Sequence, residues 1–560
     1  MPRPRKNRGR VGVNTGVNPE TGVAPGAQKG GMAAVRDHRS GCTGWAPGAG
    51  RPRRWSTASP IAHSWSSGED DVLTYSSVPH RLSRATVSPR TASATGRIVN
   101  ASRSPAAPRS ACTATSITAP SRTPVQRAGA APVTGSGRRL AARRAAGARR
   151  LTCVLLPTPA PGPDAAVEWV RAHLGDLCCD TPAASPAFRG GQQAADAALA
   201  TLDLTGYAAR RNEVLPHTRR GASRISPYIR YGLVDLPTAW AAAAPAPSRD
   251  RTKFRDELAW QEYARHVYAR IGRRNATALR AAPARPARRW DEPWPEAMNC
   301  VSSCVEELET DGWLVNQTRM WLSSQWTVRA GAEWTAGEDR FYTHLLDGSR
   351  AANRLGWQWT VGAGTGKPYG FSRWQVQKRA PQLCRDCALN TACPIQDWPP
   401  DTPGADRPEP EPLLRHDPDP ESTGGPREPV HRGEPGAVWL TAESLGDGDP
   451  ALAAHPDLPA VFVFDEPLLA RLRLSGKRLV FLAETLADLA TRRDVEVRRG
   501  EVAGELRGRA VAVTHAPVPG FRPRATAVAP AVVHPWRWLH RPHAGPIGSY
   551  SAWRKGIRIR

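Results

Sequence analysis

Residues 347–359 read DGSRAANRLGWQW, which places an acid, two amides and two indoles on one short stretch of helix. On an α-helix, Asn353 and Trp357 lie one turn apart on the same face. The small side chains of Ala351 and Ala352 leave room for a flat aromatic group against the backbone. The segment predicts a redox cofactor site, and taken alone it fits a tryptophan-rich core helix equally well.

The positive charge of the chain is concentrated in its first part. Residues 1–150 hold 25 Lys/Arg against 5 Asp/Glu, so most of the net charge of +26 lies there. This segment has no sustained apolar period and cannot bury enough surface to offset its chain entropy. We therefore expect residues 1–160 to be a disordered basic leader. It fits a nucleic-acid-binding arm, but we favour non-native sequence upstream of the true start.

The sequence contains neither a run of about 20 apolar residues nor a signal peptide with an apolar core, which predicts a chain without a membrane partner. Its 10 cysteines, in a chain with 20 tryptophans, do not resemble a secreted disulfide scaffold. Clustered cysteines are then expected to be ligands rather than bridges. We expect a monomer in the reducing cytoplasm.

The pattern of apolar residues divides the rest of the chain. Three- and four-residue spacing over 165–398 predicts an all-helical domain. Residues 399–436 are rich in proline, and we expect a linker that holds neither helix nor sheet. Apolar runs alternate with helical ones over 437–535, which predicts a small parallel α/β domain of Rossmann-like type. Residues 536–560 form a basic tail. The predicted fold class is multidomain, α followed by α/β.

Two predicted helices carry a face that mixes a large apolar group with hydrogen-bonding groups. On one helix, positions i, i+3 and i+4 hold Glu257, Trp260 and Gln261. On the other helix, the same positions hold Asn316, Arg319 and Met320. Such a face suits recognition of a flat ligand with polar edges, such as a nucleobase. Either triplet alone also fits an ordinary helix interface.

A series of motifs, in the same order over about 170 residues, resembles the photolyase/cryptochrome flavoprotein family. The motifs are FRGGQQAADAALATL (188–202), Tyr207 with Arg211, SRISPYIRYG (223–232), ELAWQEY (257–263), DGWLVNQTRM (311–320) and DGSRAANRLGWQW. The resemblance implies that the helical domain binds FAD.

The resemblance also implies a role for particular residues. FAD would be held at its phosphates, along its sugar-like chain and at flavin N5 by Tyr207, Ser223, Arg224, Ile225, Ser226, Arg319, Asp347, Ser349 and Asn353. A flipped-out pyrimidine dimer would be held by Glu257, Trp260, Asn316 and Met320, with Trp260 stacking on it. The first two members of a tryptophan relay to the flavin would be Trp357 and Trp334, and the third Trp290 or Trp294.

Three positions depart from the family pattern. Ala222 replaces the usual Thr and Ser349 replaces a second Asp, and backbone donors can compensate for both. Gln261 stands where Arg is common on the side that faces the substrate. This last change bears on DNA repair more than on FAD binding.

Cysteine spacing gives a second strong signal. Cys384 and Cys387 form C-x-x-C, and Cys393 follows six residues later. Three cysteines this close usually bind metal and need a fourth ligand. The segment resembles the iron–sulfur bacterial branch of the family, in which the cysteine of an M-N-C motif, here Cys300, completes a [4Fe–4S] site. Cys304 is the reserve ligand, and spacing alone also fits a zinc site.

The α/β region resembles the antenna domain of the same family, through VWLTAESLGDGDPAL, PAVFVFDEPLL and KRLVFLAETLADL. In the family that domain precedes the FAD domain, whereas here it follows, so the order is permuted. The Arg-rich first loop of the family is replaced by residues 441–444, TAES. The antenna chromophore, if one is bound, is not identified by the sequence.

The resemblance implies a deoxyribodipyrimidine photolyase, a carbon–carbon lyase that uses reduced FAD and blue light to split dimers in UV-damaged DNA. The sequence does not separate a cyclobutane from a (6-4) lesion. A cryptochrome-like photoreceptor is the alternative within the family, and a zinc-stabilised DNA-binding protein without catalysis is the alternative outside it.

Overall fold

The computed structural model describes residues 154–283, 290–399 and 411–557. Almost all of the predicted basic leader lies outside these residues. Its last part does not, because Val154–Leu156 forms a strand, β1, whose apolar residues pair with the open edge of the sheet described below. The predicted leader is therefore too long at its carboxyl end.

The region before the sheet is helical. Its α-helices are α1 (Pro163–Leu174), α2 (Gln192–Ala200), α3 (Tyr207–Arg210), α4 (Ser226–Arg230), α5 (Leu236–Ala242), α6 (Ser248–Ile271), α7 (Asn299–Thr310), α8 (Asn316–Ser324), α9 (Trp334–His344), α10 (Arg350–Thr360), α11 (Arg373–Arg379) and α12 (Pro381–Arg385). A π-helical turn over Gln325–Arg329 extends α8. Local sequence sets several of the ends. Asp235 accepts a hydrogen bond from the Thr238 N–H at the start of α5, and Gly272 (φ +60) follows α6.

A seven-stranded sheet forms the second part of the fold. Its remaining strands are β2 (Val430–His431), β3 (Ala437–Leu440), β4 (Ala460–Asp465), β5 (Val495–Gly500), β6 (Val511–Thr514) and β7 (Val532–His534). The order is β1-β5-β4-β3-β6-β7-β2; the five central strands are parallel and both edge strands pair antiparallel. The helices that follow α12 are α13 (Pro420–Gly424), α14 (Pro450–Ala454), α15 (Glu466–Leu472), α16 (Gly476–Ala490), α17 (Val502–Glu505), α18 (Phe521–Val528) and α19 (Tyr550–Gly556).

The mixed helical and parallel α/β architecture is confirmed, but the boundary between its parts is different. The helix α1, predicted to belong to the helical domain, packs on α16, and its Trp169 ring lies 5.7 Å from that of Phe464 in β4. Tyr231 of the helical part stacks on Phe481 of α16 at 5.0 Å. One continuous apolar core therefore joins the two parts, which we expected to be separate bodies.

The predicted linker and tail are also structured where they are described. Within residues 411–436, α13 and β2 form, and Leu414 is buried against Tyr263 and Trp553. Proline content hid these elements because Pro420 occupies the first turn of α13, where proline is tolerated. Residues 526–533, TAVAPAVV, begin as the end of α18 and only then enter β7. None of the described helices is long and apolar enough to cross a membrane.

Candidate cofactor and substrate site

The acidic motif that opens DGSRAANRLGWQW is anchored to α8. Arg319 donates to Asp347 Oδ2 at 2.8 Å, and Ser349, just before α10, accepts from the Asn353 N–H through its carbonyl oxygen at 2.8 Å. The other Asp347 oxygen, Oδ1, and the Asn353 amide nitrogen, Nδ2, are buried and have no hydrogen-bond partner among the described residues. Buried polar atoms are normally paired. One acceptor and one donor are thus available to a ligand.

A network of polar side chains fixes α10 from the other side. Gln358 donates to the Asn275 carbonyl oxygen at 2.8 Å, and Arg354 donates to the Asn275 side-chain oxygen at 2.8 Å. Glu338 of α9 pairs with Arg350 and Arg354. Burial raises the pKa of the Glu338 carboxyl, and the two guanidinium groups oppose that shift. The helix that carries Asn353 and Trp357 is therefore held by buried groups at several points.

The predicted phosphate loop lies at the start of the short helix α4. Ile225 is buried, and Arg224 has a left-handed backbone (φ +58) with its guanidinium over the rings of Phe188 and Trp313. The Ser226 hydroxyl accepts a hydrogen bond from Trp313 Nε1 at 3.0 Å. Ser223 is half-buried.

This loop and the acidic motif meet through one turn of chain. Trp313 directly follows Gly312, whose carbonyl oxygen accepts from the Leu346 N–H at 2.7 Å. Because Asp347 follows Leu346, the structure brings the predicted phosphate and flavin positions together. Tyr207 is buried, and its ring meets that of Phe254 edge-on at 5.3 Å.

The two helices predicted to hold the substrate, α6 with Glu257 and Trp260 and α8 with Asn316 and Met320, both pack against α10. Glu257 is paired with Arg211 and Lys253, each at 3.3 Å. Met320 is buried, and its sulfur accepts from the Thr360 hydroxyl at 3.8 Å. The predicted pocket residues therefore lie on two helices that both contact the helix carrying Asn353.

One line of tryptophan rings contains Trp357 and Trp294 of the predicted relay and adds Trp326 between them. In the described part of the chain, the aromatic rings packed against Trp357 belong to Phe341 and Trp326, at 5.1 and 6.5 Å. Trp326 in turn contacts Trp294 at 4.8 Å. Trp334, the predicted second member, is buried, and among the described residues its ring has no aromatic contact with this line. Sequence reasoning missed Trp326 because its position in the π-helical turn after α8 has no counterpart in the motifs.

The four predicted cysteine ligands line one cavity. Its volume is about 330 Å³, part of it open to solvent, and its walls include Cys300, Cys384, Cys387 and Cys393 with Met298, Leu383, Leu389 and Ile395. Burial and the three other cysteines raise the pKa of the Cys300 thiol. Cys304, the reserve candidate, is not in the wall, and its thiol contacts the Cys300 carbonyl oxygen at 3.1 Å. Within the described ranges, no three side chains form a group that could hold a single metal ion.

The carboxyl-terminal segment, residues 536–557, covers one side of α6. The Tyr550 ring is stacked on that of Trp260, with 3.9 Å between centroids and 10° between planes. Trp553 is fully buried and donates to His266 Nδ1 at 2.8 Å. The sequence predicts only a basic tail here, but residues 535–553, PWRWLHRPHAGPIGSYSAW, are rich in aromatic side chains, which is the signal of this packing.

Comparison with known proteins supports the flavin interpretation of this region. Residues 254–380 match the family model of the FAD binding domain of DNA photolyase. The deoxyribodipyrimidine photo-lyase of Synechococcus sp. is 29% identical over 164 residues, which are 26% of this chain and 33% of that protein. That of a Thermus thermophilus strain is 29% identical over 219 residues, or 37% of this chain and 44% of that protein.

Two solved structures are also similar to part of the chain. A bacterial class III photolyase from Agrobacterium tumefaciens is 24% identical, with 35% of this chain and 44% of that chain covered and a TM-score of 0.30. A Synechocystis cryptochrome is 21% identical, with 36% of this chain and 45% of that chain covered and a TM-score of 0.32.

The predicted resemblance to the photolyase/cryptochrome family is confirmed for the helical region, where residues 254–380 match the FAD binding domain of DNA photolyase. The chain spans less than half the length of the curated relatives named here.

Proposed function

We propose that this protein is a light-driven DNA repair enzyme of the photolyase type, which splits UV-induced pyrimidine dimers. The observation that carries the proposal is the pair of buried, unpartnered atoms Asp347 Oδ1 and Asn353 Nδ2, which lie within the segment that matches the FAD binding domain. A flavin offers both the donor and the acceptor that these atoms lack. Bound FAD, in its reduced form, would supply the photoexcited electron donor.

The residues around this pair fit the rest of such a cofactor. Ser223 and Ser226, with the backbone N–H groups of their loop, are suited to phosphate oxygens, and Arg224 adds positive charge at the exposed side. Arg319 holds the Asp347 carboxylate in place at 2.8 Å. In this arrangement Asn353 would hydrogen-bond the flavin ring, and α10 is kept rigid for that purpose by Asn275 and Glu338.

The substrate would be a flipped-out pyrimidine pair in DNA. Trp260 offers an aromatic face for stacking, and the Glu257 carboxylate lies one turn away on the same helix. Asn316 begins α8, where its side chain can add a polar contact. These residues would orient the lesion and exclude water from it, because both helices pack on α10.

We propose that Trp357, Trp326 and Trp294 form the relay that recharges the flavin. Their rings make a continuous line with centroid separations of 6.5 and 4.8 Å. Arg340 lies over the Trp294 ring at 4.6 Å. A cation there disfavours oxidation of that indole, which would influence the direction of electron flow.

We further propose a [4Fe–4S] cluster bound by Cys300, Cys384, Cys387 and Cys393. The support is that all four line one cavity with apolar walls, as expected for a cluster held by cysteine thiolates. A single zinc ion needs its thiolates converged on one point, about 2.3 Å from each sulfur. Zinc held by the same four thiolates is the alternative to the cluster.

A blue-light photoreceptor of the cryptochrome type is the second candidate. Two observations favour it: the substrate-side position 261 holds Gln rather than Arg, and Tyr550 already covers one face of Trp260. A sensor would keep the flavin and the relay, but it would need neither an arginine at position 261 nor an uncovered Trp260 ring.

The test is a repair assay on duplex oligonucleotides that carry a single cyclobutane dimer or a single (6-4) product. The protein is purified anaerobically and reduced, then illuminated with blue light, with a dark sample as control. Light-dependent restoration of one substrate supports repair and identifies the lesion. Flavin that is photoreduced while neither substrate is restored favours the photoreceptor. The variant Glu257→Gln should lose repair and keep its flavin, because Glu257 contacts Arg211 and Lys253 rather than the acidic motif.

A further inference from the structure

Two arginines from outside α10 hold the turn that carries Asp347. The Gly348 carbonyl oxygen accepts hydrogen bonds from Arg230 Nε at 2.9 Å and from Arg478 Nη2 at 3.3 Å. Arg230 ends α4, the helix that begins in the predicted phosphate loop, whereas Arg478 lies in α16 of the α/β part. Two elements that are distant in sequence therefore meet on one backbone oxygen of the candidate cofactor site.

Arg478 is one of the most deeply buried side chains in the described part of the chain. It is 2% exposed, donates to the Tyr342 carbonyl oxygen and lies with its guanidinium 4.8 Å from the centre of the Tyr342 ring. The start of α16 is docked on the same segment, because the Ser475 N–H donates to the Thr343 carbonyl oxygen at 3.0 Å. Burial of a guanidinium is costly unless its donors are paired, so this side chain keeps the carbonyl groups that it contacts in place.

Arg230 is held by the loop that follows β3. It forms an ion pair with Glu443 at 3.1 Å. Close by, the Leu445 N–H donates to the Tyr231 carbonyl oxygen at 3.1 Å. Residues 441–444 are those that replace the Arg-rich loop of the family, and in this protein they support the end of α4.

The turn at Gly348 is closely packed. A Cβ at this position would lie 2.8 Å from the Leu345 carbonyl oxygen, 3.1 Å from Arg478 Nη1 and 3.3 Å from the Tyr342 carbonyl oxygen. Asp347 directly precedes Gly348, and its Oδ1 is buried without a hydrogen-bond partner among the described residues. The contacts that fix the Gly348 peptide group therefore also set the direction of the Asp347 carboxylate.

We propose that Arg230 and Arg478 are positioning residues for the cofactor: by holding the Gly348 carbonyl oxygen, they keep the Asp347 carboxylate oriented for the flavin. The inference rests on the flavin binding of the proposed function and does not depend on DNA repair. A site whose groups are already oriented binds more tightly, because little conformational freedom is lost on association. The α/β part thereby becomes a component of the cofactor site.

The experiment measures the dissociation constant of FAD by titrating the full chain, stripped of cofactor, with FAD. Arg478→Met removes one of the two donors to Gly348 and should weaken FAD binding about tenfold, as expected for one hydrogen bond from a charged group. Arg478→Lys keeps the charge and a donor, and it should recover part of the loss. Arg493→Met is the matched control, because Arg493 follows α16 and donates to the carbonyl oxygens of Leu452 and His455 instead.

A second variant covers the case in which Arg478→Met does not fold. Arg230→Met removes the other donor to the same oxygen and should also weaken FAD binding. The double variant should lose more than either single variant, because in each of those one arginine still holds the Gly348 carbonyl group. Unchanged FAD affinity in both single variants would overturn the inference. An equal loss in Arg493→Met would also overturn it, because it would show a general effect of lost stability.

Hydrogen exchange separates this inference from the proposed function. In the protein without cofactor, the backbone amides of residues 346–349 should exchange faster in Arg478→Met than in the unmodified protein or in Arg493→Met. If damaged DNA is not repaired while FAD affinity and exchange change as described, the proposed repair fails and the positioning role stands. If exchange is the same in all three proteins, the positioning role is excluded. An unmodified protein that binds no FAD would overturn both.

Discussion

The indole of Trp326 packs against that of Trp294, with 4.8 Å between ring centroids and 71° between planes. Trp326 also contacts Trp357, so it bridges the innermost indole and Trp294. Electron transfer between aromatic groups falls steeply with their separation, and phenylalanine is much harder to oxidise than tryptophan. The bridging position makes Trp326 the residue whose loss should interrupt the relay.

We therefore expect Trp326→Phe to slow light-driven reduction of the flavin by at least an order of magnitude. Trp334→Phe should have a much smaller effect, because no aromatic contact joins Trp334 to this line of rings among the described residues. Both rates can be followed by the loss of flavin absorbance under blue light with a thiol as the external reductant. A slow Trp334→Phe variant beside a normal Trp326→Phe variant would show that the relay follows the family motif instead.

Gly337 makes room for the Trp357 indole. A Cβ at this position would lie 2.2 Å from Cη2 and 2.6 Å from Cζ3 of Trp357, which is fully buried and unable to retreat. Gly337→Ala should therefore destabilise the protein by about 1–3 kcal/mol, as overpacking of a core does. Gly356 is the matched control, a helical glycine with no atom within 4 Å of its added Cβ. Gly356→Ala should raise the free energy of unfolding by about 0.5–1 kcal/mol. Urea denaturation measures the free energy of unfolding of both variants. Equal changes in the two variants would contradict the packing of Gly337 against Trp357.

The cysteine cavity gives a prediction about iron. Serine in place of Cys393 should reduce the iron and acid-labile sulfide content of anaerobically purified protein, because a wall ligand is lost. Serine in place of Cys304 should leave both contents unchanged, since Cys304 lies outside the cavity wall. Protein that contains zinc and no iron, measured by elemental analysis, would contradict the cluster.

Stability should fall in acid through His266. Trp553 Nε1 can only donate, so His266 Nδ1 is the acceptor and Nε2 carries the proton that is donated to the His540 carbonyl oxygen at 2.7 Å. Burial lowers the pKa of His266 to about 3, and the cationic groups Arg270, His540 and His543 add to this. The folded state then binds fewer protons than the unfolded chain between about pH 6.5 and 3, so its stability decreases as pH falls through that window.

The variant His266→Asn keeps an acceptor for Trp553 but cannot be protonated. Its free energy of unfolding should be lower than that of the unmodified protein at pH 7, because the bond to His540 is lost. Between pH 6.5 and 4, the free energy of unfolding of the variant should change less with pH than that of the unmodified protein. The two slopes should differ by at most about 1.4 kcal/mol per pH unit. Glu262 lies on the same helix, and burial raises its pKa to about 7, which gives a slope of opposite sign between about pH 4.5 and 7. Both proteins contain Glu262, so its contribution cancels in the comparison. Identical slopes in the two proteins would exclude His266 as a source of the pH dependence.

Much of the fold could be predicted from local pattern. The apolar strands AVWL and AVFVF and the helix around Leu482 appear where expected, because a buried parallel strand and an amphipathic helix each have a period that the sequence displays. The site motifs were predictable for the same reason: Asp347, Asn353 and Trp357 are close in sequence.

The features that were missed depend on contacts between distant residues. Val154–Leu156 joins the sheet only because β5 offers an unpaired edge more than 300 residues later. The Tyr550–Trp260 stack and the Trp326 bridge arise in the same way, because Tyr550 and Trp326 lie outside the motifs and pack on tryptophans that lie within them. A spacing rule cannot report such contacts, because it relates only neighbours along the chain.

The measurement that tests the account most directly is the absorption spectrum of the purified protein, with the released cofactor identified after acid precipitation. The account predicts flavin bands, FAD in the supernatant at about one molecule per chain, and a large loss of FAD in Asp347→Ala, which removes the partner of Arg319. A protein without flavin absorbance, or one that binds FAD equally well without the Asp347 carboxylate, would contradict the proposed site.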